Sequence, residues 1–372
     1  MRVGLNATCF NERPSGAKQR FLGIYGALIQ RRPDIEFVIY EPADCRVGRW
    51  FEGAANLSVR PTPFPSTRSI RKSLAGPFFW RKQLRRDRLD IFEHFYLPLV
   101  KAPDCPTILT VHDIRPVLQD VPQPKRALYG ALVHSALAKA EHVVTVSDTM
   151  RAEILEFHPG AAVSRIYNGI DPAPFQRAEM DAEQTRRSLS LPAHFVLSVG
   201  HLEVRKNYIA LLRAIADLRA GGRDISLVIV GNYGVQDNRE REVRSEVERL
   251  GLGGHVRLLK EVSDGELADL YALCSLVAFP SIYEGFGIPI LEAMAAHRPI
   301  VLSDIAVFRE LTQGKGAYFP PQDGDALAAT IERVLSSRAE QQRLISYGDA
   351  RVGDFNFSTL AAQVAQLYER LR

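Results

Sequence analysis

Two glutamates, Glu284 and Glu292, flank a run of glycine, isoleucine and proline in the stretch SIYEGFGIPILEAMAAHRPIV, residues 281–301. Glu284 could simply close a loop, and Glu292 could lie in the first turn of a helix, where a negative charge is favourable. The helix start is harder to explain, because Pro289 suits a first helical position and no Ser, Thr, Asp or Asn precedes it as a cap. The unpartnered backbone N–H groups of such a start typically bind an anion such as a diphosphate.

A second candidate is the adjacent pair Arg205 and Lys206, which follows the apolar segment 195–200 and precedes a helical pattern at 207–220. At the carboxyl end of a strand such a pair can bind two phosphates, the guanidinium through its fork and the ammonium as a point charge. A solvated basic pair is the alternative, since exposed Lys and Arg are the norm. The turn YEGFGIP is predicted at the same edge of the sheet, and this convergence favours a binding site.

In the first half of the chain, the predicted strand 107–111 ends in His112 and Asp113. The imidazole of His112 could hydrogen-bond a sugar hydroxyl or a leaving phosphate, whereas Asp113 could cap or turn the chain. The loop PSGAKQR, residues 14–20, follows the first predicted strand and opens the first helix, where backbone N–H groups often meet phosphate. Gly16 in this loop could equally supply only a tight turn.

Other binding chemistries are not supported. The sequence has neither G-x-x-x-x-G-K-[ST] nor G-x-G-x-x-G after a strand, so a P-loop and a dinucleotide fingerprint are excluded. Asp323 and Asp325 precede a helix, where capping explains them better than a metal ion. The histidines are scattered without zinc-ligand spacing. We therefore expect neither a metal ion nor a cofactor.

The positions of these candidate residues depend on the surrounding secondary structure. Strand and helix patterns alternate along the chain, which predicts an α/β protein with parallel, doubly wound sheets. The predicted strands are 2–6, 35–40, 90–95, 107–111, 142–146 and 163–167 in the first half, and 195–200, 226–231, 255–260, 275–280, 299–303 and 316–320 in the second. Residues 171–193 lack a strand pattern and are rich in Pro and charge, so we predict domains 1–172 and 173–354. The amphipathic helix 355–372, with Ser358 as N-cap, could pack back on either domain.

Residues 68–88, RSIRKSLAGPFFWRKQLRRDR, combine eight cations with a single acid, Asp87. Phe78, Phe79 and Trp80 stand among these charges, as expected of a helix resting on an anionic membrane surface. Nucleic acid would also accept such a patch. In the alternative interpretation, the aromatic rings face the core while Lys and Arg face water.

Composition indicates an ordinary globular protein. The 372 residues carry 47 Lys and Arg against 43 Asp and Glu, a net charge of +4 that is too small to indicate nucleic-acid binding by the whole chain. The four cysteines are far apart and predict reduced thiols. No signal-peptide pattern and no apolar run of membrane-spanning length is present. The predicted location is the cytoplasm, or the inner face of its membrane if residues 68–88 bind there.

The chain resembles the retaining glycosyltransferases of family 4, which have the two-domain GT-B architecture. The two glutamates around the GFGIP turn are the most specific part of the resemblance, which covers nearly the whole length. Further motifs occur in the order expected for that family: PSGAKQR, TVHD (110–113), VSD (146–148), YNGID (167–171), VGHLEVRKN (199–207) and FNFS (355–358). The resemblance implies two Rossmann-like domains facing across a cleft, the first binding the acceptor and the second the nucleotide sugar.

The resemblance also implies two sets of site residues. The implied catalytic residues are His112, Glu284, Arg205 and Lys206. The implied donor-binding residues are Gly16, Arg205, Lys206, Val262, Glu284, Phe286, Gly287, Ile288 and Glu292. In this scheme His112 faces the sugar from the other domain, and the nucleobase lies near Val262 and Ser263. The first loop departs from the family pattern, with Ser15 where many members have a second glycine.

Individual roles follow from the same resemblance. Arg205 and Lys206 would bind the donor diphosphate, together with backbone N–H groups of residues 286–288. Glu284 would bind the transferred sugar and Glu292 the ribose of the nucleotide.

The implied activity is metal-independent transfer of a hexose from a nucleotide diphosphate, with retention of anomeric configuration. The LExRKN and YEGFG variants look most like the branch that builds bacterial surface polysaccharides such as lipopolysaccharide, often from GDP-mannose onto lipid-linked saccharides. One alternative is a sugar-nucleotide epimerase of the same architecture. Another is a non-enzymatic module that binds anions or nucleic acid through residues 68–88, although we expect no nucleic-acid partner.

Overall fold

The computed structural model describes residues 1–67, 76–115, 124–178, 182–231 and 238–372. The chain forms two compact units, Met1–Gly169 with Phe355–Arg372, and Ile170–Asp354. The chain thus leaves the first unit just before the predicted boundary at residue 172. Its last helix lies in the first unit.

Seven parallel strands form the sheet of the first unit, in the order β3-β2-β1-β4-β5-β6-β7. Their bounds are Arg2–Asn6 (β1), Glu36–Glu41 (β2), Leu57–Pro61 (β3), Ile91–His94 (β4), Thr107–Val111 (β5), His142–Thr145 (β6) and Val163–Arg165 (β7). The six strands predicted for this half are confirmed, whereas β3 was missed. β3 lies at the edge of the sheet and is only half-buried, so it lacks the apolar run that reveals the others.

Six parallel strands form the sheet of the second unit, in the order β10-β9-β8-β11-β12-β13. Their bounds are Phe195–Val199 (β8), Ser226–Val230 (β9), Val256–Leu259 (β10), Leu276–Phe279 (β11), Ile300–Ser303 (β12) and Ala317–Phe319 (β13). All six correspond to predicted strands. The order reverses between β8 and β11, and at such a switch point an open α/β sheet binds its ligand.

Helices cover both sheets. In the first unit they are Gly16–Arg20 (α1), Gly26–Arg31 (α2), Gly76–Asp87 (α3), Lys125–Lys139 (α4) and Asp148–Phe157 (α5), and a single π-helical turn, Phe21–Tyr25, joins α1 to α2. In the second unit they are Glu183–Ser188 (α6), Tyr208–Ala220 (α7), Asn238–Arg249 (α8), Asp264–Leu273 (α9), Ile288–Ala295 (α10), Ala306–Leu311 (α11), Gly324–Ser336 (α12) and Arg338–Val352 (α13). The last helix, Phe357–Leu371 (α14), returns to the first unit. Short 3-10 turns occur at Val47–Phe51, Ala173–Phe175, Val204–Lys206 and Gly353–Phe355.

Different helices cover the two faces of the first sheet. On β2, Phe37 and Ile39 belong to the core formed with α1, α2 and α14, whereas Tyr40 packs with Trp80 and Leu84 of α3. The connections β3 to β4 and β5 to β6 cross the sheet in the same direction. Because such crossovers are right-handed, α3 and α4 lie on the same face of the sheet.

A buried carboxylate holds α14 against the first sheet. Glu93 of β4 accepts hydrogen bonds from the hydroxyls of Tyr25 at 2.5 Å, Thr110 at 3.0 Å and Tyr368 of α14 at 2.5 Å. Burial raises the pKa of Glu93, and the three hydroxyl donors oppose this shift. The three donors satisfy a carboxylate that would otherwise be costly to bury.

The start of α14 corrects one prediction. Asn356, not Ser358, is the N-cap, because the Asn356 side chain accepts a hydrogen bond from the Ser358 backbone N–H at 2.8 Å. Ser358 is already the second residue of the helix. Asn and Ser are almost equally good caps, so the pattern around 355–358 could not distinguish them.

Replacing Tyr368 with Phe tests the role of Glu93. The variant keeps the ring but leaves the buried carboxylate one donor short, which should lower the free energy of unfolding by about 1–3 kcal/mol. Urea unfolding followed by circular dichroism measures the change. The control is Tyr347→Phe, which loses an exposed hydrogen bond of 3.3 Å to Gln313. Equal stability of the two variants would contradict the assignment.

Candidate active site

Glu284 is the centre of a compact ionic cluster in the second unit. Its Oε1 lies 2.7 Å from Nζ of Lys206 and accepts a hydrogen bond from Ser281 Oγ at 2.8 Å. Its Oε2 lies 2.5 Å from Nη1 of Arg205. The side chains of Arg205, Lys206 and Glu284 are only 16%, 12% and 10% exposed. The alternative of a solvated basic pair is therefore wrong.

Mutual attraction keeps this cluster ionised. Burial raises the pKa of Glu284, but the charges of Lys206 and Arg205, together with the hydrogen bonds from Lys206 and Ser281, bring the pKa below its ordinary value. Burial also lowers the pKa of Arg205, and Glu284 and Glu203 more than compensate. Glu203 Oε2 lies 2.6 Å from Nε of Arg205. Two cations and two carboxylates thus balance each other in a largely dehydrated place, where such interactions are stronger than in water.

Glycines at two strand ends make room for the cluster. Gly200 follows β8 with φ of +152°, and a Cβ there would lie 2.8 Å from Cε and Nζ of Lys206. Gly231 follows β9, and a Cβ there would lie 2.0 Å from the carbonyl oxygen of Gly200. Tyr208 Oη donates to that same carbonyl oxygen at 2.8 Å. Any other residue at these two positions would displace the lysine or the loop.

The turn after β11 is locked to the loop after β8. The backbone N–H of Ile282 donates to the carbonyl oxygen of Arg205 at 2.8 Å. Ser303, at the end of β12, donates its hydroxyl to the carbonyl oxygen of Ser281. Glu284 is thereby held beside Arg205 and Lys206 by main-chain as well as side-chain contacts.

The start of α10 has no side-chain cap, as the sequence indicated. Its N-cap is Gly287, with φ of +122°, and Pro289 is its second residue rather than its first. Ile288 begins the helix, and Phe286 lies in the turn before it. Glu292 is the fifth residue, and the first turn contains no acid. The explanation of Glu292 by the helix dipole is therefore wrong.

Glu292 instead makes a specific buried contact. It is 7% exposed, and the hydroxyl of Tyr271 in α9 donates to its Oε2 at 2.8 Å. Burial raises the pKa of Glu292 to about 7; the Tyr271 hydrogen bond opposes this shift, and the nearby Asp264 charge adds to it. Val262 and Ser263, where the nucleobase was expected, immediately precede Asp264 and α9. Glu292 can therefore change its protonation near neutral pH.

The candidate residues of the first unit lie at the carboxyl ends of its strands. His112 follows β5, and burial together with the charge of Arg20 lowers its pKa to about 3, so the imidazole is neutral at ordinary pH. Asp113 is exposed and accepts a backbone hydrogen bond from Arg115 at 3.3 Å, as expected of a turn residue. Gly16 is the first residue of α1, whose start is capped by the side chain of Ser15.

The structure adds polar residues that sequence reasoning missed. At the ends of β1 and β4, the Asn6 amide lies 3.2 Å from Nδ1 of His94, and the Thr8 hydroxyl lies 2.7 Å from that of Tyr96. All four are close to strand ends, and this position was the available signal. Individually they resemble ordinary core or loop residues.

Two of the sequence motifs meet inside the first unit. Arg20 of the loop PSGAKQR is 1% exposed, and its Nη1 donates to the carbonyl oxygens of Ile166 at 2.9 Å and Tyr167 at 2.5 Å. The same nitrogen lies 3.3 Å from Oδ1 of Asn168 in YNGID. This buried cation fixes the segment that leads to the end of the unit at Gly169.

The described part of the chain offers neither a cluster of metal ligands nor a helix that could span a membrane. Its residues include no group of three or more His, Cys, Asp or Glu side chains that could hold a metal ion. None of its helices is both long enough and apolar enough to cross a bilayer. Asp323 caps α12 by accepting from the backbone N–H of Ala326 at 2.8 Å, as predicted. All four cysteines are free thiols.

Comparison with known proteins gives the family. The model described as Glycosyltransferase Family 4 matches residues 14–174, and that described as Glycosyl transferases group 1 matches residues 181–351. O-antigen chain mannosyltransferase B of Escherichia coli is 31% identical over 77% of this chain and 76% of its own length. Phosphatidyl-myo-inositol mannosyltransferase of Mycolicibacterium smegmatis is 31% identical over 99% of this chain and 94% of its own.

Solved structures agree on the fold. Sucrose-phosphate synthase from Thermosynechococcus elongatus superimposes with a TM-score of 0.79 at 22% identity, over 100% of this chain and 98% of its own. HepE from Anabaena, in complex with UDP and glucose, gives 0.77 at 20% identity over the full length of both chains. The chain therefore belongs to glycosyltransferase family 4, has the GT-B fold of two Rossmann-like domains, and is a hexosyltransferase.

Proposed function

We propose that this enzyme transfers mannose from GDP-mannose, with retention of anomeric configuration, to a growing lipid-linked saccharide of the bacterial surface. The observation that carries the transfer is the buried cluster of Arg205, Lys206 and Glu284 beside the uncapped start of α10. The choice of mannose and of a surface polysaccharide rests on relatives named O-antigen chain mannosyltransferases, at 31% and 28% identity.

In this proposal the donor takes over the cations that Glu284 now neutralises. The diphosphate binds the Arg205 fork, the Lys206 ammonium and backbone N–H groups at residues 286–288, while Glu284 turns to the hydroxyls of the hexose. Glu292 accepts from the ribose. In the same scheme Val262 adjoins the base.

The chemistry is stabilisation of a leaving group. The bond between the anomeric carbon and the phosphate oxygen breaks, and the acceptor hydroxyl oxygen forms a new bond to that carbon from the same side. The proton of the acceptor moves to the departing diphosphate. Arg205 and Lys206 stabilise the growing negative charge more in the transition state than in the ground state. Neutral His112 has one N–H donor and one nitrogen acceptor, which suits a sugar hydroxyl.

Metal independence is part of the proposal. Arg205 and Lys206 supply two fixed positive charges, which is the electrostatic role that a divalent ion has in other phosphate sites. Both charges belong to the chain and are held by Glu203 and Glu284. Transfer should therefore persist in EDTA.

A donor assay tests the proposed function against an epimerase. A thermal-shift panel of GDP-mannose, UDP-glucose and ADP-glucose identifies the donor, since a ligand bound only by the native state raises the melting temperature. The donor is then incubated with and without a lipid-linked saccharide. Transfer predicts a new glycoside and free GDP only when the acceptor is present. An altered sugar nucleotide formed from donor alone would show an epimerase instead.

Replacing Glu284 with Gln should separate binding from transfer. The change removes the negative charge that competes with the diphosphate, so free GDP should bind roughly tenfold tighter. Loss of the sugar contact should lower kcat roughly 10²–10³-fold. Isothermal titration and steady-state kinetics measure the two effects. The control is Glu248→Gln on the exposed surface of α8. Unchanged kcat, or weaker GDP binding, would contradict the assigned role.

For the lipid-linked acceptor, we propose contact between the first unit and an anionic bilayer. Arg68, Arg71 and Lys72 of the basic segment lie outside the described residues, so the case rests on α3. There Trp80 is 2% exposed and packs in the core, whereas Phe78 is 82% exposed. The interpretation that all the aromatic rings face the core is thus wrong for Phe78.

Charge and apolar surface coincide on α3. Its exposed cations are Arg81, Lys82, Arg85 and Arg86, followed directly by Arg88. The acid Asp87 is buried, accepts from the hydroxyl of Tyr40 at 2.6 Å and lies 3.5 Å from Nε of Arg60, so its ion pair is with β3. Exposed cations around an exposed aromatic ring are complementary to an anionic lipid surface.

Helix α4, which lies on the same face of the sheet as α3, also has exposed apolar side chains. Leu128 and Leu132, one helical turn apart, are 65% and 41% exposed. Lys125 and Arg126 at the start of the helix are exposed as well. Together with Phe78, these leucines are the large exposed hydrophobic residues within the described part of the first unit.

Vesicle binding tests the membrane contact. The chain should sediment with vesicles of phosphatidylglycerol and phosphatidylcholine but not with phosphatidylcholine alone. The double variant Arg81→Gln with Arg86→Gln should weaken vesicle binding by about 1 kcal/mol for each charge removed. Phe78→Ser alone should also weaken vesicle binding. Arg31→Gln with Arg49→Gln, exposed charges elsewhere on this unit, is the matched control. Equal binding to neutral vesicles would overturn the proposed membrane contact, and so would salt-sensitive binding to RNA in place of vesicles.

A further inference from the structure

Tyr271 is a fully buried tyrosine beside Glu292. It lies in α9, is 0% exposed, and its hydroxyl oxygen is 2.8 Å from Glu292 Oε2 and 3.3 Å from the carbonyl oxygen of Pro289. A phenol has one proton to donate. The carboxylate is the closer and stronger acceptor, so the proton lies towards Glu292.

This contact distinguishes the two oxygens of Glu292. Tyr271 is the hydrogen-bond donor that the described residues provide to the carboxylate, and it occupies Oε2. Oε1 is therefore the oxygen left to accept from a ligand. The terminal torsion of a glutamate is soft and prefers no single angle, so the phenol hydroxyl is the group that sets the direction of Oε1.

Tyr271 is itself held by the segment that enters the second unit. The ring of Phe175 packs against it edge-on, with centroids 5.7 Å apart and planes at 80°. Two residues earlier in α9, Asp269 accepts from the Thr185 hydroxyl at 2.6 Å and lies 2.7 Å from Nε of Arg177. Helix α9 is therefore fixed at the position that supports Glu292.

We propose that Tyr271 is a positioning residue for nucleotide recognition: by fixing Oε2 of Glu292, its hydroxyl aims Oε1 at a ribose hydroxyl and so sets the preference for ribonucleotides over deoxyribonucleotides. The inference rests on the proposed function, because it takes Glu292 as the ribose ligand. Tyr271 does not touch the ligand in this scheme, and the preference for ribonucleotides depends on it through Glu292.

The pH dependence of binding supplies a readout that a purely structural role would not change. Glu292 has a pKa of about 7, so nucleotide affinity should rise as pH rises through that value and the carboxylate ionises. The groups that act on it are Tyr271, whose hydrogen bond favours ionisation, and Asp264, whose charge opposes it. Both belong to α9. Removing the phenol hydroxyl should move the midpoint to higher pH.

The experiment compares GDP with 2′-deoxy-GDP and 3′-deoxy-GDP by isothermal titration. The pH is varied from about 5.5 to about 8.5, which covers the titration of a group with a pKa near neutrality. The parent enzyme should prefer GDP over at least one deoxy analogue by roughly 10- to 100-fold, the effect of one hydrogen bond to a charged group. Tyr271→Phe should reduce this preference to a few-fold and raise the pH midpoint. Tyr347→Phe, which removes an exposed hydrogen bond from a half-buried tyrosine of the same unit, should change neither.

A double variant gives the sharpest test. If the phenol acts only through the carboxylate, Tyr271→Phe should add almost nothing once Glu292→Gln is present, whereas independent effects would add. The proposal is overturned if Tyr271→Phe keeps the parent preference and midpoint, or if Glu292→Gln keeps the preference. Should Tyr271→Phe fail to fold by circular dichroism, Phe175→Leu, which loosens the support of the ring, should lower the preference in part, and an unchanged preference would overturn it.

Failure of the proposed function would look different. In that case the parent enzyme would bind none of GDP, UDP and ADP at any pH. If UDP or ADP binds in place of GDP, the same comparison is made with its deoxy analogues, since the argument concerns ribose and not the base.

Discussion

The site depends on a carboxylate held between two largely buried cations. Removing Arg205 and Lys206 from water carries a desolvation cost that only a nearby negative charge can offset, and Glu284 supplies that charge at 2.5 and 2.7 Å. In the proposed function, a bound diphosphate would replace the carboxylate as counter-charge to Arg205 and Lys206. The proposal therefore assigns both the local stability of this region and the affinity for the donor to the same two side chains.

Both candidate glutamates accept a hydrogen bond from a hydroxyl, which belongs to the same turn for Glu284 and to helix α9 for Glu292. Ser281 donates to Glu284 and Tyr271 donates to Glu292, each at 2.8 Å. Their electrostatic environments differ, however: two cations lower the pKa of Glu284, whereas burial beside Asp264 raises that of Glu292. One acid stays ionised and the other titrates near neutral pH. Such a divergence separates the roles of two chemically identical groups.

The first unit uses buried charge for a different purpose. Glu93 and Asp87 are both buried and both accept from tyrosine hydroxyls. Glu93 ties α14 to the central strands, and Asp87 ties α3 to β2. Buried Arg20 fixes the segment before Gly169 through main-chain carbonyl groups. These charges stabilise the scaffold in which His112 lies.

Much of the architecture could be read from residue patterns, because parallel strands buried on both faces are continuous apolar runs. Twelve strands were predicted that way, whereas the half-exposed edge strand β3 was not, since its alternation is weak. The same limit applies to α3. Composition showed that Phe78, Phe79 and Trp80 stand among cations, but only packing against Tyr40 and Phe92 decided that Trp80 is internal and Phe78 external.

For the site, the sequence by itself determined which groups carry charge. It also determined where the features suited to phosphate binding cluster, because loops after parallel strands converge on one edge of a sheet. Tertiary structure decided the partners. The contact between Arg205 and Glu284 joins residues 79 positions apart, and that between Tyr271 and Glu292 joins residues 21 apart. Which oxygen is occupied, and which pKa rises or falls, depends on distances and burial that no local pattern encodes, since both arise only when separate strands and helices pack together.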